Sequence, residues 1–292
     1  MARELEAIEG APEGVASAGA EELLNSFCAA PDPHGPTPRV LVVAAHPDDE
    51  VIGAGARLAC LRSVWCLHIT DGAPRDGWAA REAGYGDVES YARARRRESL
   101  RALRLAGIGA GRAWALGVAD QRASYELVGA TRGVLGMLRE VRPDIVLTHP
   151  YEGGHPDHDA TSFAAHAACA LAGRGGEGGA PVVVEFTSYH GGDGGLVTGR
   201  FLGEGEVRVV RLGEAERALK RRLLDCFVTQ RRVLEQFAVE TESFRVAPRY
   251  DFTAPPHPDR LWYEWFDWGI TGEEWRRRAA EALRVLGLDG AG

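Results

Sequence analysis

The chain has 292 residues, 45% of them hydrophobic, which suits a sizeable core in one large α/β domain or two small ones. Its formal charge of −8 argues against nucleic acid as the main partner, because phosphate binding needs a basic stripe. No apolar run reaches the ~18 residues of a membrane span, the acidic start MARELEAIEGAPEG lacks the apolar stretch of a signal peptide, and the five irregularly spaced cysteines read as reduced thiols, so the expectation is a cytoplasmic protein with neither nucleic-acid nor membrane partner.

Residues 1–37 read as an extension, with one short helical stretch near Glu21–Cys28 and then the Pro-rich PDPHGPTP, which cannot be a regular element. The main domain is expected over 38–292. Its first strand is RVLVVAA (Arg39–Ala45), a continuous run of the kind that a buried parallel strand shows. A helix over about Asp48–Leu61 follows, then a strand, SVWCLHIT (Ser63–Thr70). Residues 73–90 are polar and Gly-rich and read as a long loop. Beyond it come a helix carrying Leu100 and Leu103, a third strand near Ala113–Leu116, and a helix with Leu127, Val134, Leu138 and Val141 at helical spacing. Asp144–Thr148 reads as a further strand, with a helix from about Thr161 and a strand in VVVEFTSYH. The glycine clusters at 173–179 and 191–195 read as mobile loops. The last hundred residues suggest a long amphipathic helix (Glu214–Phe237) and a final one with Trp275 and Leu283. Alternating strands and helices predict an α/β fold: a doubly wound, mostly parallel Rossmann-like sheet with helices on both faces.

Two short segments carry the chemistry. AHPDDE (Ala45–Glu50) lies where the first strand ends, and the ligand crevice of an open α/β sheet lies outside the carboxyl ends of its strands. His46 offers an imidazole nitrogen, and Asp48 and Asp49 offer hard oxygens. Acidic residues do favour a helix N-terminus, by ~0.3–1 kcal/mol, but that explains neither His46 nor the crowding of two carboxylates in one turn. HPDHD (His155–Asp159) follows the strand ending at Thr148, so both clusters should reach one crevice. Three donors with an open water position describe a catalytic zinc site, and manganese, iron or cobalt also suit such donors. No cysteine lies near either motif, which disfavours a closed structural site.

Together these motifs resemble the LmbE/PIG-L family of zinc-dependent de-N-acetylases, whose members carry (A/P)HPDDE after the first strand and an HPDH-type motif later. The resemblance runs from Arg39 to near the C-terminus. It implies a metal-dependent hydrolase that removes an N-acetyl group from an N-acetylglucosamine-type amino sugar or its conjugate. It implies that His46, Asp49 and His158 bind zinc, that Asp48 is the general base, and that His155, protonated and oriented by Asp157, steadies the oxyanion. Arg95, three residues before Glu98, and Asp120 match family positions that touch the sugar. Some thiol-pathway members have Tyr two residues before the first histidine of the second motif; this chain has Gly153 there and Tyr151 two residues further back.

Rival readings are an amidase acting on a larger thiol or sugar conjugate and a non-catalytic metal-binding protein. The expected partner is a small N-acyl amino sugar, and the sequence is also compatible with a homo-oligomer. His149 reads equally as core or as support for the metal, His190 could line the pocket, and His68 and His166 read as packing. The aromatic group Trp262, Tyr263, Trp265, Phe266 and Trp268 reads as core, with a sugar-stacking or interface role as the alternative.

Overall fold

The computed structural model describes residues 13–30, 35–174, 179–203 and 205–289. Five parallel strands form its centre: β1 (Val40–Ala44), β2 (Val64–Pro74), β3 (Ala113–Asp120), β4 (Ile145–Thr148) and β5 (Val182–Phe186). Two antiparallel strands, β8 (Arg208–Arg211) and β9 (Thr241–Val246), extend the sheet beyond β5, giving the order β3-β2-β1-β4-β5-β9-β8. A hairpin, β6 (Tyr189–Gly192) with β7 (Gly195–Thr198), stands apart. The sheet is α/β and mostly parallel, as the alternation of elements predicts.

Side chains of β1 alternate between two cores, as period-two geometry requires. Leu41 and Val43 face a layer that includes α5 (Leu127–Val141), α6 (Pro156–Arg174) and α9 (Gly272–Leu286). Val40, Val42 and Ala44 face α2 (Asp49–Leu58), α4 (Val88–Leu105) and α7 (Glu214–Leu224). Helix α1 (Glu13–Cys28), expected in an extension, belongs to this second layer: Leu24 and Phe27 are fully buried, and the Phe27 ring packs edge-on against Phe244 at 5.0 Å.

Several boundaries differ from the sequence reading. Strand β2 runs on to Pro74, and the expected loop holds a short helix, α3 (Trp78–Glu82). Helix α6 starts at Pro156 rather than near Thr161. Proline suits the first helical position and Asp157 and Asp159 suit the positive end, so the second motif is itself the first turn of the helix. The long helix expected over 214–237 breaks after Leu224 and resumes only as the short α8 (Arg231–Leu234). At the break, Glu98 takes both the backbone N–H and the hydroxyl of Thr229 (3.1 and 2.5 Å). Residues 191–195 are not a mobile loop but the turn of the β6–β7 hairpin, with Gly192 paired to Gly195. Of the other glycine cluster, 175–178 lie outside the described residues.

Candidate metal centre

Strand β1 has β2 on one side and β4 on the other, so chains leaving β1 and β4 diverge and open a crevice at this switch point. Ala45–Glu50 leaves β1 and residues 149–155 leave β4, which brings together two motifs far apart in sequence. His46 Nδ1 lies 3.2 Å from Asp49 Oδ2 and 3.3 Å from His158 Nε2. His158 Nε2 lies 3.4 Å from Asp49 Oδ1. Donors ~2.0–2.1 Å from one tetrahedral ion stand roughly 3.3 Å from each other. The spacing and the N, N, O chemistry of these groups therefore fit a divalent ion.

Charge points the same way. Asp49, Asp120 and Asp157 surround the His46 imidazole. Burial opposes charge on His46, but Asp120, Asp157 and Asp49 outweigh it and hold the imidazole pKa well above its usual value. His46 Nε2 and Asp120 Oδ1, 3.2 Å apart, are both buried without a hydrogen-bond partner. A cavity of carboxylates that forces charge onto an imidazole is one that a cation would relieve.

Around these donors lie groups with no motif of their own. The His149 ring stacks on His158 (4.1 Å, 17°), and its Nε2 accepts the Ala45 N–H at 3.1 Å. That lone pair is thus occupied, which makes His149 a support for His158 rather than a fourth donor. Ser188 Oγ lies 3.4 Å from His158 Nδ1, and the Tyr189 ring lies 5.0 Å from the imidazole. Nothing in the local sequence singles out Ser188 or Tyr189; the pairing of β5 beside β4 delivers them.

Asp48 is buried and accepts a hydrogen bond from Arg95 Nη2 at 3.0 Å. Burial pushes its carboxyl up to about 6, although Arg95 pulls the other way. A carboxylate so placed is matched to proton transfer near neutral pH. Arg95, the expected sugar contact, is seated inside the fold. It is only 4% exposed, and its other donor, Nη1, goes to the Gly72 carbonyl at 2.9 Å. Gly72 has φ +64°, and a Cβ there would come within 2.9 Å of the guanidinium and of Pro47, so this approach needs glycine. The guanidinium is engaged in holding Asp48.

Asp157 also departs from its expected role. Its carboxylate accepts the backbone N–H groups of Gln121 (2.6 Å) and Ala123 (2.9 Å), and Oδ2 lies 3.4 Å from His46 Nε2. It holds the turn after β3, where Gln121 has φ +66°, and it backs His46 rather than the His155 imidazole. His155 instead accepts the Asp157 backbone N–H on Nδ1 at 3.1 Å, which leaves its proton on Nε2. Burial, together with His46 and His158, holds the His155 pKa well below the usual value, a direction that disfavours the expected imidazolium. Asp120 Oδ1 lies 4.0 Å from His155 Nε2 as well as beside His46.

Three further residues are set apart. Tyr151 is buried against Trp275 with its hydroxyl on the Ala254 carbonyl, away from the donors. Gly153, two residues before His155, has φ +69°, a conformation costly to any side chain. Glu50, the last residue of the first motif, pairs with His68 at 3.0 Å beside Cys66. All three of these groups are fully buried, and Glu50 satisfies the charge on His68, so they form an internal ion pair beneath α2.

Residues 41–169 match the PIG-L family, described as GlcNAc-PI de-N-acetylase. That stretch, less than half of the chain, is similar to the PIG-L family. The matched span runs from β1 into α6 and holds both motifs and every donor named above. Curated relatives from Mycobacterium bovis and Mycobacterium tuberculosis, named 1D-myo-inositol 2-acetamido-2-deoxy-alpha-D-glucopyranoside deacetylase, are 37% identical over 144 residues, 42% of this chain and 48% of theirs. The chain thus spans about half the length of the curated relatives it matches. Solved structures share the fold at low identity. The N,N'-diacetylchitobiose deacetylase from Pyrococcus horikoshii has a TM-score of 0.56 at 20% identity, over 84% of this chain and 95% of its own. A deacetylase of teicoplanin biosynthesis has a TM-score of 0.56 at 18% identity, over 73% of this chain and 99% of its own.

Proposed function

We propose that the protein is a zinc-dependent hydrolase that removes the N-acetyl group of an N-acetylglucosamine-type amino sugar, free or conjugated. The observation that carries this is the convergence of His46, Asp49 and His158, 3.2–3.4 Å apart, beside a buried carboxylate that is not one of the three. The family match and the names of the relatives support the N-acetyl amino sugar.

His46, Asp49 and His158 would hold the ion. When bound, zinc supplies Lewis acidity, polarising the amide carbonyl and lowering the pKa of water. Asp48, fixed by Arg95, accepts the proton of the attacking water and returns it to the leaving amine, so that amide and water become acetate and amine. His155 directs Nε2–H into the site as a neutral hydrogen-bond donor to the oxyanion. Asp120, between His46 and His155, is left with an unpartnered oxygen, Oδ1. Tyr151, turned away, weakens a reading in which a thiol conjugate is the substrate.

The test is acetate release by zinc-loaded protein from a panel of N-acetylated amino sugars and their glycosides. Release that depends on Asp48 is expected. A fully metallated protein that releases acetate from none of them would reject the reading in favour of non-catalytic metal binding.

A further inference from the structure

Beneath the first turn of α2 lies a second group of donor atoms, separate from the crevice. Cys66 and His68 stand two residues apart on β2, so both side chains leave the same face of the strand. That face packs against the layer of α2, α4 and α7. Glu50 reaches them from the first turn of α2, while its neighbour Asp49 turns to the crevice donors. His68 Nε2 lies 3.0 Å from Glu50 Oε2 and 3.7 Å from Cys66 Sγ. No surface of any of the three residues is exposed.

An ion pair between Glu50 and His68 accounts for only part of this arrangement. Carboxylate and sulfur converge on one nitrogen, and Nε2 carries at most one proton to share between them. Glu50 Oε1, the other oxygen, is buried with no hydrogen-bond partner. Buried charge is costly unless it is paired or bound to a metal. Sulfur, nitrogen and oxygen within 4.8 Å of one another form a donor set suited to zinc. Around a tetrahedral ion, with bonds of ~2.3 Å to sulfur and ~2.0–2.2 Å to nitrogen and oxygen, neighbouring donors stand roughly 3.3–3.6 Å apart. The two contacts to His68 Nε2 fall on either side of that range, so small side-chain rotations bring both within it. The two oxygens of Glu50 complete a set of four donor atoms, which leaves no position for water.

We propose that Glu50, Cys66 and His68 form a structural zinc site inside the fold, distinct from the crevice donors. An entering ion displaces the Cys66 thiol proton and the proton held between His68 and Glu50. Its two charges are then balanced by one thiolate and one carboxylate. Because the site is enclosed, its ion is captured as α2 packs onto β2 and exchanges slowly afterwards. The inference stands or falls without the deacetylase reading.

Cobalt(II) is the probe, because cobalt on a thiolate gives an intense near-ultraviolet charge-transfer band that cobalt on nitrogen and oxygen lacks. The full chain is produced in cobalt-supplemented medium and read by metal analysis and absorption. Wild type should hold two ions per chain and show the band. His46→Ala/His158→Ala should keep one ion with the band intact. Adding Cys66→Ser to that protein should remove both. Cys66→Ala in the wild-type background, where the substitute packs as a small apolar group, should lower the count from two to one and abolish the band. That second comparison keeps the test open if a multiple variant fails to fold. A wild-type protein with one ion and no band, a band that survives substitution of Cys66, or a count that Cys66→Ala leaves unchanged would each overturn the site and leave Glu50 and His68 as an ion pair alone.

Discussion

Asp48 and Asp49 are adjacent in sequence and have opposite surroundings. Burial works against charge on both. His158 and His149 hold the Asp49 carboxyl well below the usual range, whereas Arg95 and His46 only partly offset burial at Asp48, which stays near 6. Asp48→Asn should therefore keep its zinc, measured by metal analysis, while kcat falls by ~10²–10⁴-fold, because an amide cannot accept the water's proton. His158→Ala should lose metal and activity together. Arg95 acts through Asp48, so Arg95→Lys, which keeps the charge but loses the two-pronged fit to Asp48 and Gly72, should lower kcat by roughly tenfold with zinc retained. In an Asp48→Asn background the same change should cost almost nothing further. Fully additive losses in that double-mutant cycle would return Arg95 to a direct substrate contact.

Among the elements, β9 shows how a single side chain can tie a layer together. Glu242 accepts the backbone N–H groups of Ala56 and Arg57 on α2 (2.8 and 2.9 Å) and the ammonium of Lys220 on α7 (2.9 Å), all of it buried. Lys220→Met should cost about 3–5 kcal/mol in urea unfolding, because it leaves the Glu242 charge uncompensated. Sequence patterns concealed this arrangement. The parallel strands β1 and β4 are legible because burial on both faces makes them continuous apolar runs. Strands β8 (RVVR) and β9 (TESFRV) are short, mixed in polarity and far from the motifs, and β9 buries Glu242 and Arg245 only because partners from distant elements meet them. The same limit applies in the site. The two motifs that hold the proposed metal donors are visible in the sequence, and the resemblance of those motifs to a family suggests which residues they are. That Asp157 would hold the turn at Gln121, and that His149 would stack on His158, depends on strand order, which spacing does not encode.

At the scale of the whole molecule, three buried acids away from the metal donors contribute to the response to pH. Burial pushes Asp159 and Glu152 up to about 8 and Glu185 to about 7. Each binds its proton more tightly folded than unfolded. The stability they contribute is complete below pH ~4 and is lost as pH rises through 7–8. Asp159 Oδ1 accepts two backbone N–H groups while Oδ2 is buried without a partner, the natural place for the proton. Asp159→Asn should preserve the acceptor and narrow the gap in Tm between pH 5 and pH 8, in metal-free protein so that metal affinity does not intrude. An unchanged gap would mean that Asp159 is ionised in the fold. Chelation itself should lower Tm at pH 7, and added zinc should restore it, since an ion that binds only the folded chain stabilises it by mass action.

His46 and His158 stand 112 residues apart in the chain. A nascent polypeptide that has emerged only as far as β4 has His46 and Asp49 but not His158, and two donors on one flexible turn hold zinc poorly. Metal capture must wait until α6 is made and its first turn has docked beside β1. The order of synthesis thus sets the earliest moment at which all three donors can meet, after β1–β4 are made and while β5, β8 and β9 are still to come.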